Sequence, residues 1–324
     1  MKRLALVVSL ALLVDPAGAR AAGEPRVLLP SSDWMLDFAD ERCSLIREFA
    51  DGEDTIRLQI DSYGPSPGYR VMIAGDLVAG SDAAPIREFR VGYSPDTGER
   101  PTMTMFLGKF GDDNAVSYGP GFLPNQPFAE WAPGQPQQAA ASPGPDWPGS
   151  EFQRSVRYMT VAFGDAVPFR LDTGSMAAPF VAMHQCVDNL MTSWGIDPAA
   201  HRTRSRVPML VDLPEGYKRV RVNLEDDHPG YTERRYQGIA RAQSRELASP
   251  VPSAGFVLPV RVMIDATGRS TACVVQIATA DERLRRSVCE RFAGPYQPAL
   301  DAEGRPIPSF VQLGTDEVLR IAAN

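Results

Sequence analysis

The stretch PFRLDTGSM, residues 168 to 176, places Asp172, Thr173, Gly174 and Ser175 directly after an apolar run. A carboxylate on a glycine turn at the end of a strand can activate water for peptide hydrolysis. That chemistry needs a second carboxylate close enough to share a proton, one ionised as base and the other protonated to polarise the carbonyl. The other candidate, IDATG at 264 to 268, has an extra residue between Asp265 and Gly268, so it would not present its carboxylate in the same turn. An aspartic-type peptidase built on Asp172 therefore requires a symmetric dimer. It also requires an extended strand after the glycine, whereas here an amphipathic helix begins. Ser175 then reads as a helix N-cap with Pro179 tolerated in the first turn, and Asp172 as an ordinary turn residue.

The remaining constellations are weaker. His184 and Cys186 in MHQC are metal-ligand types, but the chain has only 3 His. Cys186 also lies beside the core face of a helix, where a disulfide or plain burial is favoured. GDD at 111 to 113 and EDD at 225 to 227 sit in turn-like contexts and read as solvated loops. There is no Gly-rich phosphate loop and no Ser-His-Asp arrangement on an elbow. The expectation is a protein without catalytic residues, metal or other cofactor.

The first residues place the chain in the cell. Lys2 and Arg3 precede an apolar run from Leu4 to Val14, and Ala19-Arg20-Ala21 offers a small-x-small cleavage site, the pattern of a secretory signal peptide over residues 1–21. The run is too short for a membrane helix, which needs roughly 20 residues, and no Cys stands at the cleavage site to take a lipid. The expected product is periplasmic or secreted, with no transmembrane segment in the mature chain. Cleavage removes Lys2, Arg3, Arg20 and Asp15, a net +2, and takes the formal charge from −7 to −9. That balance argues against nucleic acid as a partner. The basic cluster HRTRSR (201–206) is a local exception and reads as a solvated loop.

At 324 residues the chain has room for two domains, and 29 Pro with 27 Gly imply many turns and a linker. Ile56, Leu58 and Ile60 alternate with polar residues, and Tyr69, Val71 and Ile73 repeat the period after GPSPG. Phe89, Val91 and Tyr93, then Met103, Met105 and Leu107, continue it, and CSLIREF (43–49) supplies an earlier strand. Residues 119–150 are Pro, Gly, Gln and Ala without an apolar period and read as a flexible insertion. Strands resume through Phe163 and at VPFRLD. From Met176 the period changes: Phe180, Met183, Val187, Leu190, Met191 and Trp194 share a helix face, and Gly195 stops it. This β-rich module, 26–196, is mostly antiparallel with one helix. A connector, 197–255, follows with at most one short strand, YKRVRVNL.

Residues 256–324 form a second module of order β-β-α-β, giving an α+β protein as a whole. Val260, Val262 and Ile264 share a face, Gly268 closes a turn, and Thr271, Cys273, Val275 and Ile277 share a face of the next strand. Leu284, Val288 and Phe292 recur at a spacing of four, which lays a helix on the sheet. Four cysteines in an oxidising compartment imply two disulfides, with three pairings formally possible. Cys273 and Cys289 lie on facing surfaces of strand and helix, which leaves Cys43 to pair with Cys186.

The runs VRVMIDATGRSTACVVQIAT, LRRSVCERF and PALDAEGRPIPS together resemble the C-terminal domain of the TonB energy-transducer family. The resemblance covers about 60 residues and implies a periplasmic module that captures extended peptide segments of other envelope proteins by adding a strand to its sheet. A cleavable leader and a β module stand here where a transducer has a membrane helix and a Pro-rich arm, so peptide binding is expected and energy transduction is not. The expected site is the last strand, Ser309, Phe310, Val311, Gln312 and Leu313, beyond Pro306 and Pro308. Phe310 and Gln312 should share one face, and Val311 and Leu313 the other. The alternatives are a tail, GTDEVLRIAAN, that covers this edge, a purely structural envelope component, and the Asp172 peptidase.

Overall fold

The computed structural model describes residues 25–65, 68–78, 89–95, 100–101, 105–122, 150–164, 166–210, 259–276 and 282–313. The leader, most of the Pro-rich insertion, YKRVRVNL, EDD and the tail beyond Leu313 lie outside them.

The chain is β-rich with few helices. An eleven-stranded sheet is built from β1 (Arg26–Pro30), β2 (Met35–Ala39), β3 (Arg42–Ala50), β4 (Thr55–Ser62), β5 (Tyr69–Gly75) and β6 (Phe89–Tyr93). It is completed by β7 (Arg100–Pro101), β8 (Met105–Phe110), β9 (Asp113–Gly121), β10 (Met159–Phe163) and β11 (Phe169–Leu171). The order is β7-β6-β10-β11-β1-β3-β4-β5-β9-β8, with β2 also on β3. All pairings are antiparallel except β1 with β11, which is parallel. β6 and β9 lie near opposite ends of this order, yet their Tyr93 and Tyr118 hydroxyls are 2.7 Å apart. The sheet therefore curls until its ends meet. The inner face comes from period-two positions: Ile56, Leu58 and Ile60 of β4 and Val71 and Ile73 of β5 are all buried.

Helix α2 (Ala177–Ser193) packs against the curl through Phe180, Met183, Val187, Leu190 and Met191. Phe180 meets Tyr69 at a tilt and Phe122 edge-on, with ring centroids 5.2 Å apart in each pair. Its N-cap is Met176, without a side-chain cap. Ser175 is one residue earlier than the capping position, and its hydroxyl reaches the Ala177 amide only at 3.4 Å. The insertion is also shorter than its composition implies. Gly119 to Gly121 end strand β9, Phe122 is fully buried, and Ser150 opens a short helix, α1 (Ser150–Ser155). Phe122, in the run GPGFLP, carries no periodic signal, yet it fills the core between Tyr93 and Phe180.

Residues 197–210, the described start of the connector, carry regular elements. These are α3 (Pro198–Thr203), capped by Asp197, and β12 (Met209–Leu210). Both fall inside or beside HRTRSR, which is therefore not a solvated loop: His201 is buried and the Arg206 guanidinium donates to the Pro298 carbonyl at 2.9 and 3.1 Å.

The C-terminal part comprises β13 (Val260–Ile264), β14 (Ser270–Val275), helix α4 (Glu282–Arg291), β15 (Tyr296–Gln297), β16 (Ala299–Leu300), β17 (Pro306–Ile307) and β18 (Ser309–Leu313). Its three-stranded antiparallel sheet has the order β14-β13-β18. Two turns share the sequence Asp-Ala-x-Gly-Arg, at 265–269 and 301–305. In each, the aspartate carboxylate accepts from amides two and four residues on. The Thr267 hydroxyl, then the Arg269 amide, hold the Asp265 carboxyl down at about 2. Gly268 has φ +84°, and a Cβ there would strike the Tyr296 carbonyl that follows the helix, so this turn admits only glycine.

Candidate peptide-binding edge

Asp172 sits half-buried between β11 and α2. Its carboxylate accepts from the Gly174 amide at 3.3 Å, a local turn closure. Asp265 is engaged in its own turn in the C-terminal part. His184 is buried in α2, with Nε2 3.0 Å from the Tyr69 hydroxyl and 3.2 Å from Gln153 Oε1. That buried network pins α1 and α2 to β5, and burial raises the Tyr69 phenol above its ordinary pKa. Cys186 is bonded to Cys43, and Cys273 to Cys289. Among the described residues no cluster of three or more His, Cys, Asp or Glu is placed to hold a metal. We expect Asp172→Asn to change stability by no more than about 0.5 kcal/mol, as for surface substitutions that break no buried pair. Urea melts of the two proteins check this.

The β18 residues lie at the rim of the C-terminal sheet. β18 pairs with β13 alone among the described residues, in the register Val260↔Leu313, Arg261↔Gln312, Val262↔Val311, Met263↔Phe310 and Ile264↔Ser309. One face, with Val260, Val262 and Ile264, is buried beneath α4, whose Val288 and the following Phe292 are also buried. The Cys273–Cys289 disulfide ties α4 to β14 on this side. Phe310 and Gln312 do share the opposite face, and that face is turned onto the N-terminal module.

The contacts there are specific. The Arg261 guanidinium donates to both carboxylate oxygens of Glu41, at 2.5 and 3.1 Å, and lies 3.7 Å from the Trp194 ring centroid. Gln276 donates to the Tyr63 carbonyl at 3.0 Å and to Glu41 at 3.3 Å, and accepts from Gln312 at 2.5 Å. Phe310 stacks flat on His201 at 4.9 Å and meets Trp194 edge-on at 5.4 Å. β12 pairs with β15, and the Ser205 amide donates to Leu300 at 2.8 Å. Sequence reasoning missed Glu41, Trp194, His201, Arg261 and Gln276 as a set. The one signal was Arg261, a charge within the apolar run LPVRVMI.

This interface carries a proton-linked element. Burial first, then the guanidiniums of Arg204 and Arg202, push the His201 imidazole down to about 3. Its Nδ1 has no hydrogen-bond partner among the described residues. An unfolded histidine takes a proton near 6.5 while the docked one does not. The stabilisation is therefore complete above pH 6.5 and is lost as pH falls from 6.5 toward 3. We expect the urea midpoint to fall on acidification from pH 7 to about 5. In His201→Phe, which keeps the stack without the titration, that decline should shrink.

No known protein family, curated protein or solved structure matches the chain.

Proposed function

We propose that this is a non-enzymatic protein of the cell envelope, periplasmic or secreted after removal of its leader. On this reading the C-terminal module takes an extended peptide segment of another envelope protein as an added strand on β18. One observation carries the reading: among the described residues β18 ends its sheet, while one sheet face lies under α4 and the other against the N-terminal module. An edge strand with unpaired N–H and C=O groups is a template for strand addition. The strand, strand, helix, strand order and the two Asp-Ala-x-Gly-Arg turns support the likeness to the TonB C-terminal domain. Two disulfides fit an oxidising compartment outside the cytoplasm. No helix of the described residues is long and apolar enough to cross a membrane.

Proline scanning tests this. Successive residues of an antiparallel strand point their N–H groups in opposite directions, so of Val311 and Gln312 one donates to β13 and the other outward. Val311→Pro and Gln312→Pro are made separately. The variant that keeps the wild-type circular dichroism should lose a partner retained by wild type in an envelope pull-down, and Asp172→Asn should retain it. Undiminished capture by the folded proline variant contradicts the reading.

A further inference from the structure

Among the described residues a second strand, β2, has one edge unpaired. β2 pairs only with β3 among the described residues, in the register Met35↔Ile46 to Ala39↔Arg42, and lies off the main path of the sheet. Its partner is buried at Cys43, Leu45 and Ile46, but Met35, Leu36 and Phe38 are exposed at 51%, 42% and 56%. Lone exposed apolar side chains are ordinary, whereas three within five residues on a strand edge are not. Exposed edges are usually guarded by Lys, Pro or a twist within the strand. MLDFA has neither Lys nor Pro, and its one charge is Asp37.

The alternation of β2 defines what fits. Leu36 and Phe38 share one face, and Met35 and Asp37 the other. Asp33 and Asp40, both exposed, flank the strand and extend the negative charge to each end. The nearby Arg42 lies 3.9 Å from Asp37 and 3.8 Å from the buried Asp61, so it is shared between them. We propose that β2 is a docking edge for an extended segment of another protein in which apolar and basic residues alternate. Its apolar side chains would lie over Leu36 and Phe38, and its basic ones beside Asp33, Asp37 and Asp40. A second copy of this chain is the poorer occupant, because a two-fold pairing centred on the strand sets Asp37 against Asp37. The site is independent of β18.

The test uses two labelled peptides, four Val-Arg repeats and four Val-Glu repeats, titrated against the full mature chain by fluorescence anisotropy. Val-Arg should bind saturably. Phe38→Ser, which leaves the charge unchanged, should weaken it about tenfold, the scale of one lost aromatic contact. Asp37→Lys should weaken it by about as much, from one reversed cross-strand pair with its neighbours. Both side chains are exposed, so neither variant should disturb the fold. Equal binding of the two peptides, or binding indifferent to Phe38→Ser, overturns the proposal, since general attraction to an acidic protein would explain it. A wild-type dimer dissolved by Phe38→Ser also overturns it, in favour of a second copy. Binding gained only when Lys218, Arg219 and Arg221 are all changed to Glu overturns it in favour of this chain's own segment 217–224.

Discussion

Glu41→Ala lowers the stability of the chain by about 3 kcal/mol or more, because it strands a buried charge. Arg261 has only 6% of its side chain exposed, and its partner at the tip of the β2–β3 hairpin is Glu41. Burial lowers the Arg261 pKa, and Glu41 works against that shift. Without Glu41 the guanidinium keeps the Trp194 face, which is worth about 1–2 kcal/mol when desolvated and does not replace an ion pair. The reverse change is milder. The Glu41 side chain is 29% exposed, so in Arg261→Met it can take up water while methionine packs on Trp194. Urea denaturation of both variants reads the asymmetry. A larger loss for Arg261→Met than for Glu41→Ala would show that the pair is not organised around a buried cation.

The double variant Cys43→Ala/Cys186→Ala should lose about 3–5 kcal/mol, since a bridge across a long loop restricts the unfolded chain most strongly. The two residues are 143 apart in sequence. Cys273 and Cys289 are only 16 apart, and their removal should cost less, about 3 kcal/mol by the same argument. Cys43 is fully buried and Cys186 nearly so, which makes alanine a better replacement than serine. The Cys43–Cys186 bridge is also the covalent tie between β3 and α2, so the double variant should expose the α2 face to limited proteolysis. Equal losses from the two bridges would mean that loop length does not govern their effect.

The sequence made legible what repeats locally. β4 announces itself by strict alternation, β5 by the shared face of Tyr69, Val71 and Ile73, and α2 by a change of period at Met176. Cys273 and Cys289 pair because strand and helix face each other there, and the Cys43–Cys186 pair follows by elimination. What escaped was set by contacts distant in sequence. β1 runs parallel to β11, some 140 positions away, and nothing in RVLLP marks that partner. WMLDFA is apolar at every position but Asp37, as a buried strand would be, yet Met35, Leu36 and Phe38 remain exposed, so its composition does not reveal what covers it. His201 hides among arginines because a six-residue helix buries a single side chain. Phe310 and Gln312 share a face by strand period alone, but what that face meets comes from Trp194, His201 and Gln276 in other elements.

Strand capture at β18 can be read out by cross-linking beside that edge. Pro308 is exposed and immediately precedes β18. A photo-crosslinking side chain in its place, activated in an envelope preparation, should join the chain to one continuous segment of a different protein. Adding the proline that preserves the fold, at 311 or 312, should abolish that product. Cross-links that persist with the proline in place, or that map only to residues of the same chain, would contradict the account.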